Sequence, residues 1–378
     1  MISWIQRYYE EIMPDMISPG KVFTLYGPRR SGKTSLVQRF LNGRGGRIFS
    51  GTGDDLPLRD LFSAQSVQKM KSAFSGYDLI FIDEAQRIPE IGLGLKIIVD
   101  HLPELSVIAT GSSSFELSNR LGEPLTGRQR IGLLYPVSVM ELNRESGGAN
   151  VLQSLEELLV FGSYPEVLTA RSIDEKKEYL STLRDAYMYR DILVLENLRN
   201  SDKLTDLLRL VAFQIGKDVS LSELGRGLGL AVQTVEKYLD LLEKSFVLKR
   251  VRAFSRNLRK EITKSSRFYF LDNGVRNAVI NNFNDLRMRD DAGMLWENFL
   301  VSERMKTRTY RGIRTSQWFW RTYDRKEIDL IEERDGKLYG FEFKWGNKKP
   351  SPPKEWIESY PGAEFQVINR DNFLEFLI

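Results

Sequence analysis

The sequence contains no cysteine and a single histidine, His101. Without cysteine there is no disulfide, no thiolate nucleophile and no cysteine-ligated zinc or iron–sulfur cluster. One histidine excludes a two-histidine metal site, and a Ser-His-Asp triad would have to use it alone. It stands in IIVDHLPEL with no Gly-x-Ser-x-Gly elbow to partner it. It therefore reads as a residue that complements the terminal carbonyls of a helix. No apolar run approaches the roughly 20 residues of a membrane helix. The N-terminus, MISWIQRYYEEIMPDM, mixes acids, bases and apolar residues and has no signal-peptide core. The expectation is a soluble, cytoplasmic protein with no membrane partner. Net charge is scarce too: 55 Lys and Arg against 51 Asp and Glu leave +4. A nucleic-acid surface would have to be local. Chemistry falls to carboxylates, lysine, arginine, hydroxyls and a bound metal.

What is present is ordinary globular material. The 378 residues are 42% hydrophobic and 28% charged, enough for two to four domains at roughly 100–200 residues each. Residues 21–26, 78–82 and 106–110 read as buried strands, with helical runs between them, so a parallel α/β sheet is expected. GGAN at 147–150 marks a break. Residues 151–215 carry helical periodicity. Residues 218–252 read as helix, glycine turn, longer helix and strand, which fits a winged helix-turn-helix. From about Asp285 a helix precedes strands near Gln317–Arg321, Glu327–Ile331 and Tyr339–Trp345. The expected domain boundaries are 1–148, 149–215, 216–284 and 285–378.

Gly27, Pro28, Arg29, Arg30, Ser31, Gly32, Lys33 and Thr34 match G-x-x-x-x-G-K-[ST] in full, after a strand and opening a helix. With Ser35 they form the expected cradle for the phosphates of ATP. Glycines let the backbone wrap the anion, and the helix N-terminus offers N–H groups and a positive dipole end. Lys33 reaches the β/γ-phosphates and the Thr34 hydroxyl binds Mg²⁺. Some 50 residues on, LIFI delivers Asp83 to the same metal, and Glu84 follows where a carboxylate can polarise the attacking water. Ser112 or Thr110, on the next strand, can hold the γ-phosphate or that water. Arg128, in LTGR, can stabilise transition-state charge, within the chain or across a subunit interface of a homo-oligomer.

GPRRSGKT, LIFIDEAQ, ATGSSS and LTGR, in that order and spacing, resemble prokaryotic AAA+ ATPases of the archaeal-type ATPase group. The later motifs YPVS, FGSYPE, YRDI and FLDNG extend the resemblance over nearly the whole chain. It implies a P-loop ATPase core, a helical lid, a winged helix and a C-terminal domain of restriction-endonuclease type. It also implies that Ser112 is a nucleotide sensor, Arg128 an arginine finger, and Arg190 a sensor in the lid.

A second constellation is Glu297, Asp329, Glu342 and Lys344. In GFEFKW, Glu342 and Lys344 share one strand face while Phe341, Phe343 and Trp345 share the other. Asp329 comes from the strand before, through a turn at Asp335-Gly336. Asp329 and Glu342 can share a divalent metal, with Lys344 assisting a phosphate transition state and Glu297 nearby. This resembles the D…(D/E)-x-K signature of restriction-endonuclease-like folds. Residues 249–267, KRVRAFSRNLRKEITKSSR, hold eight basic residues and one acid. They form the expected wing, a candidate phosphate-contacting DNA surface, whereas the helix before it is not basic. The reading is Mg²⁺-dependent ATP hydrolysis coupled to a nucleic-acid transaction, with DNA cleavage left open. The alternative is a nucleotide-gated scaffold for a protein partner with a silent nuclease-like domain.

Overall fold

The computed structural model describes residues 4–112, 125–186, 201–255, 266–322 and 326–378. Arg190, Ser113, Ser114 and residues 256–265 lie outside them. The chain divides into two compact units. One holds Trp4–Val137 with Lys244–Phe246; the other holds Ser138–Glu243 with Val247–Ile378.

The first unit is built on a five-stranded sheet: β1 (Val22–Tyr26), β2 (Ile48–Thr52), β3 (Leu79–Asp83), β4 (Ser106–Gly111) and β5 (Gln129–Leu133). Their order is β2-β3-β4-β1-β5, and every pairing is parallel. The central strands are apolar because both faces are covered: Val22, Leu25, Leu79 to Ile82 and Val107 to Ala109 are buried. Helices supply the crossovers: α2 (Lys33–Asn42), α3 (Leu56–Ser63), α4 (Val67–Phe74) and α5 (Ile91–His101). His101 is the last residue of α5 and is exposed, as its sequence setting suggested. Ahead of the sheet lies α1 (Tyr8–Met16).

The second unit begins with helices. The FGSYPE and FLDNG segments dock on each other: the Ser163 N–H donates to Asp272 at 2.7 Å, and the Asn277 amide donates to the carbonyls of Leu159 and Val160. Helices Leu221–Leu228 and Val232–Lys244 follow, joined through Gly229 in the left-handed conformation. Next comes the hairpin β6 (Leu248–Ala253) and β7 (Ser266–Phe270), and a long helix, Ala292–Tyr310. The last strands are β8 (Gln317–Arg321), β9 (Glu327–Arg334), β10 (Lys337–Phe343) and β11 (Glu364–Ile368). The β9–β10 turn falls at Asp335-Gly336 with both residues at positive φ, the geometry of a tight hairpin turn.

Here the structure departs from the sequence reading. The hairpin does not stand apart as a wing. It joins β8 through the parallel pairs Arg252↔Trp318 and Ala253↔Phe319, giving one six-stranded sheet, β11-β10-β9-β8-β6-β7. The sheet runs across the expected boundary at 284. The reason is burial: Phe268, Phe270, Phe319, Leu330 and Phe341 all belong to a single apolar core.

Candidate functional site

In the first unit a glycine-bounded loop, Gly27 to Gly32, joins β1 to α2. Gly27 is at φ +153°, and a Cβ there would sit 2.0 Å from the Leu134 carbonyl oxygen. Gly32 is left-handed and caps α2. Arg30 also takes a positive φ. Lys33 is buried and folds over its own loop, Nζ donating to the carbonyls of Gly27 at 2.9 Å and Pro28 at 2.8 Å. Ser31 is wholly buried and its Oγ has no hydrogen-bond partner among the described residues. Thr34 and Ser35 are exposed on the first turn of α2, and Arg29 is half-buried.

The two halves of the motif meet. Thr34 Oγ1 donates to Asp83 Oδ2 at 2.8 Å, while Asp83 Oδ1 accepts from the Glu84 N–H at 3.1 Å and from the Thr110 hydroxyl. Glu84 is held at φ 48°, ψ 41°, a conformation disfavoured for a non-glycine residue and characteristic of functional turns. Thr110, on β4, and Ser112, just past its end, both reach the cluster and take different partners. Ser112 Oγ accepts from Gln86, which also donates to Glu84. An Mg²⁺–nucleoside triphosphate fits these residues. The orphaned Ser31 hydroxyl and the glycine cradle lack only an anion, and Thr34 with Asp83 forms an oxygen pair suited to a hard cation.

Sequence reasoning missed Arg7. It is buried just before α1, with Nη1 donating to the Ser31 carbonyl at 2.7 Å and Nη2 to the Tyr135 carbonyl at 2.6 Å. Its setting in a mixed N-terminal stretch gave no local signal. Arg128, in contrast, does not join the site within this chain. Its carbonyl accepts from Val22 at the start of β1, and its guanidinium pairs with Asp100. The phosphate loop leaves the other end of β1, about five residues or roughly 16 Å away.

The second unit gathers the other candidates. Asp329 follows the Leu330↔Phe341 pair in register and so stands opposite Glu342. Its Oδ2 accepts the Phe343 N–H at 2.8 Å. Lys344 Nζ donates to Glu342 Oε1 at 2.5 Å, and Glu342 Oε2 is buried without a hydrogen-bond partner among the described residues. Phe341 and Phe343 are buried on the opposite face, as the alternation required. Glu297 accepts from the Tyr269 hydroxyl at 2.7 Å. Burial first, and then the charge of Glu342, pushes the Asp329 carboxyl up to about 7. Glu297 is driven well above the usual carboxylate range by burial and by Asp329.

The residue that the sequence did not place here is Arg267. Only 3% exposed, it stands 3.7 Å from Glu297 and 3.8 Å from Asp329, pairs with Glu327 at 2.6 Å and Asp218 at 3.2 Å, and lies over the Phe319 ring. Burial opposes its charge, yet the surrounding anions hold its pKa above the ordinary value. Among the described residues, no group of three or more carboxylates is arranged to hold a metal ion.

The described part of the basic stretch is not an open phosphate surface. Lys249 pairs with Glu243, Arg250 with Glu236, and Arg267 is the buried residue above. Only Arg252 is exposed on its strand.

Comparison with known proteins agrees with the first site. Residues 19–143 match a family profile described as an AAA domain. Residues 152–286 and 292–375 match two profiles each described as a domain of unknown function, DUF8612 and DUF4143. An uncharacterized protein of Mycobacterium tuberculosis is 27% identical over 328 residues, covering 85% of this chain and 70% of its own. An uncharacterized protein of Methanocaldococcus jannaschii is 22% identical over 304 residues, covering 75% and 66%. Among solved structures, domain III of the Thermotoga maritima replication initiation protein DnaA aligns at 14% identity and a TM-score of 0.27, over 62% of this chain and 89% of that one. A chain from a study of katanin self-assembly aligns at 16% identity and a TM-score of 0.27, over 46% and 57%. The profile match makes residues 19–143 a P-loop ATPase-like domain. No helix among the described residues is long and apolar enough to cross a membrane.

Proposed function

We propose that the protein is a Mg²⁺-dependent ATPase whose turnover is coupled to a transaction on DNA. The observation that carries the ATPase half is the Thr34–Asp83 hydrogen bond, which joins two motif halves 49 residues apart. Gly27 to Ser35 hold the phosphates and Lys33 swings from its own carbonyls onto the β/γ-phosphates. Thr34 and Asp83 are the residues that hold Mg²⁺, which when bound neutralises phosphate charge. Glu84 accepts a proton from the attacking water as its oxygen adds to the γ-phosphorus, the bond from that phosphorus to the β–γ bridging oxygen breaks and ADP leaves, and Ser112 faces the γ-phosphate. Arg128 serves only across a subunit interface.

On this reading the second unit supplies the DNA-acting part, a restriction-endonuclease-like domain behind a helix-turn-helix. Asp329 and Glu342 hold a divalent ion there and Lys344 steadies the phosphate. A second reading is favoured by Arg267, a cation already seated among those carboxylates. In it the domain is a scaffold that cuts nothing and the ATPase gates binding of a protein partner.

One assay separates the readings: ATP turnover with and without double-stranded DNA, scoring the DNA for cuts in Mg²⁺ and in Mn²⁺. Lys33→Ala should abolish nucleotide binding or turnover in a folded protein. Glu84→Gln should bind ATP and retain it. Wild-type rates in folded Lys33→Ala would refute the ATPase assignment. Cutting that is lost in Asp329→Asn and Glu342→Gln supports the nuclease, and no cutting in either metal selects the scaffold.

A further inference from the structure

The geometry points to Gln86 as a positioning residue that couples contact with the γ-phosphate to the placement of the water-activating carboxylate. The inference rests on the reading of Glu84 as base and Ser112 as phosphate contact. It adds a link between them, carried by the last residue of LIFIDEAQ. Gln86 lies in the turn Ala85–Arg87 directly after β3 and is 5% exposed. Its Nε2 donates to Glu84 Oε2 at 2.5 Å and to Ser112 Oγ at 3.1 Å. Two acceptors on one nitrogen use both of its N–H bonds. The orientation of the amide is fixed by chemistry, because its oxygen would face the electrons of a carboxylate that can only accept.

The consequence is directional. An N–H donated into Ser112 Oγ occupies a lone pair and leaves the hydroxyl proton to point away from Gln86. That proton is then available to a phosphate oxygen. The chain runs from phosphate oxygen to Ser112 hydroxyl, to the Gln86 amide, to the Glu84 carboxylate. Each bond polarises the next. Glu84 also has a backbone held in a disfavoured left-handed conformation, so its side chain depends on such support for a single orientation. With γ-phosphate present the hydroxyl is anchored at both ends and the carboxylate is held for attack. With the diphosphate that anchor is gone.

A double-mutant cycle on the full-length chain tests this, with ATP turnover and fluorescent-nucleotide affinity as readouts. Gln86→Met, which keeps the shape and removes both donors, should lower kcat by at least about tenfold while KM and nucleotide affinity change little. That split marks an interaction used in turnover rather than in binding. Ser112→Ala should cost a similar factor, and the double variant no more than the worse single one, because both cut the same chain. Gln86→Glu, of equal size and without the N–H donors, should repeat the kcat loss if Gln86→Met does not fold. Wild-type kcat in folded Gln86→Met, or losses that multiply in the double variant, would overturn the coupling. Glu84→Gln is the marker for the underlying reading. Wild-type turnover there would show that the assignment of the base has failed, and the coupling with it.

Discussion

Arg7 Nη1 donates to the carbonyl of Ser31 at 2.7 Å, joining residues 24 apart and pinning the phosphate loop from behind. The same guanidinium holds the Tyr135 carbonyl at 2.6 Å. The loop is therefore braced between the start of α1 and the chain leaving β5. Hydrogen bonds from a buried cation are worth about 1.5–3 kcal/mol each. Arg7→Ala removes both of these donors from buried carbonyls. It should lower unfolding free energy by on the order of 2 kcal/mol and weaken ATP binding about tenfold or more. Chemical denaturation and a nucleotide titration check it; unchanged affinity in a folded variant would show that the loop needs no brace.

Gly27→Ala should be worse for binding than its size suggests. The new methyl meets a backbone oxygen at 2.0 Å, and φ +153° is strained for any L side chain. A backbone acceptor cannot rotate away, so the loop must open. Nucleotide binding should be lost while the second unit keeps its melting transition. Calorimetry in the presence and absence of ATP reads both.

The pH dependence of stability should change with Asp329→Asn. Burial and Glu342 raise this carboxyl from 3.8 to about 7 in the folded protein. The folded state then binds the proton more tightly than the unfolded chain does. This contribution is fully present below pH 3.8 and is lost as pH rises through about 7. Asparagine cannot ionise, so the variant should gain on the wild type between pH 5 and pH 8. Urea midpoints at the two values decide it, and an equal gap at both would refute the raised carboxyl.

Arg256, Arg259 and Lys260 changed together to alanine should weaken DNA binding alike across sequences and flatten its dependence on salt. Contacts to phosphate release counterions whatever the base. A titration over a range of salt concentrations measures the slope. Loss confined to one sequence would contradict the idea.

Much of the nucleotide site was legible because its signals are local. A glycine loop between strand and helix, and an apolar run ending in Asp83-Glu84, fix both partners before any fold is known. The pairing of Glu342 with Lys344 followed from strand alternation alone. Arg267 was not legible. It meets Glu297, Glu327 and Asp329 only because β7, β9 and the helix Ala292–Tyr310 come together in the folded unit. In sequence it was one of eight basic residues between 249 and 267. Whether Arg128 acts within the chain or across an interface was not legible either: a loop just before a strand reads the same at either end of a sheet, and register puts this one at the end away from Lys33.

The parallel pairing of β6 with β8 makes a seam through material that family profiles treat as two pieces, 152–286 and 292–375. Two residue pairs and the Phe254 N–H to Phe319 carbonyl bond stitch it. Neither side of that seam is a natural margin. A chain cut there bares an unpaired strand on each fragment, and such edges recruit other strands. The two pieces are thus inherited as a matched set: exchanging the last ninety or so residues between relatives would succeed only where both lips of the seam carry the same register.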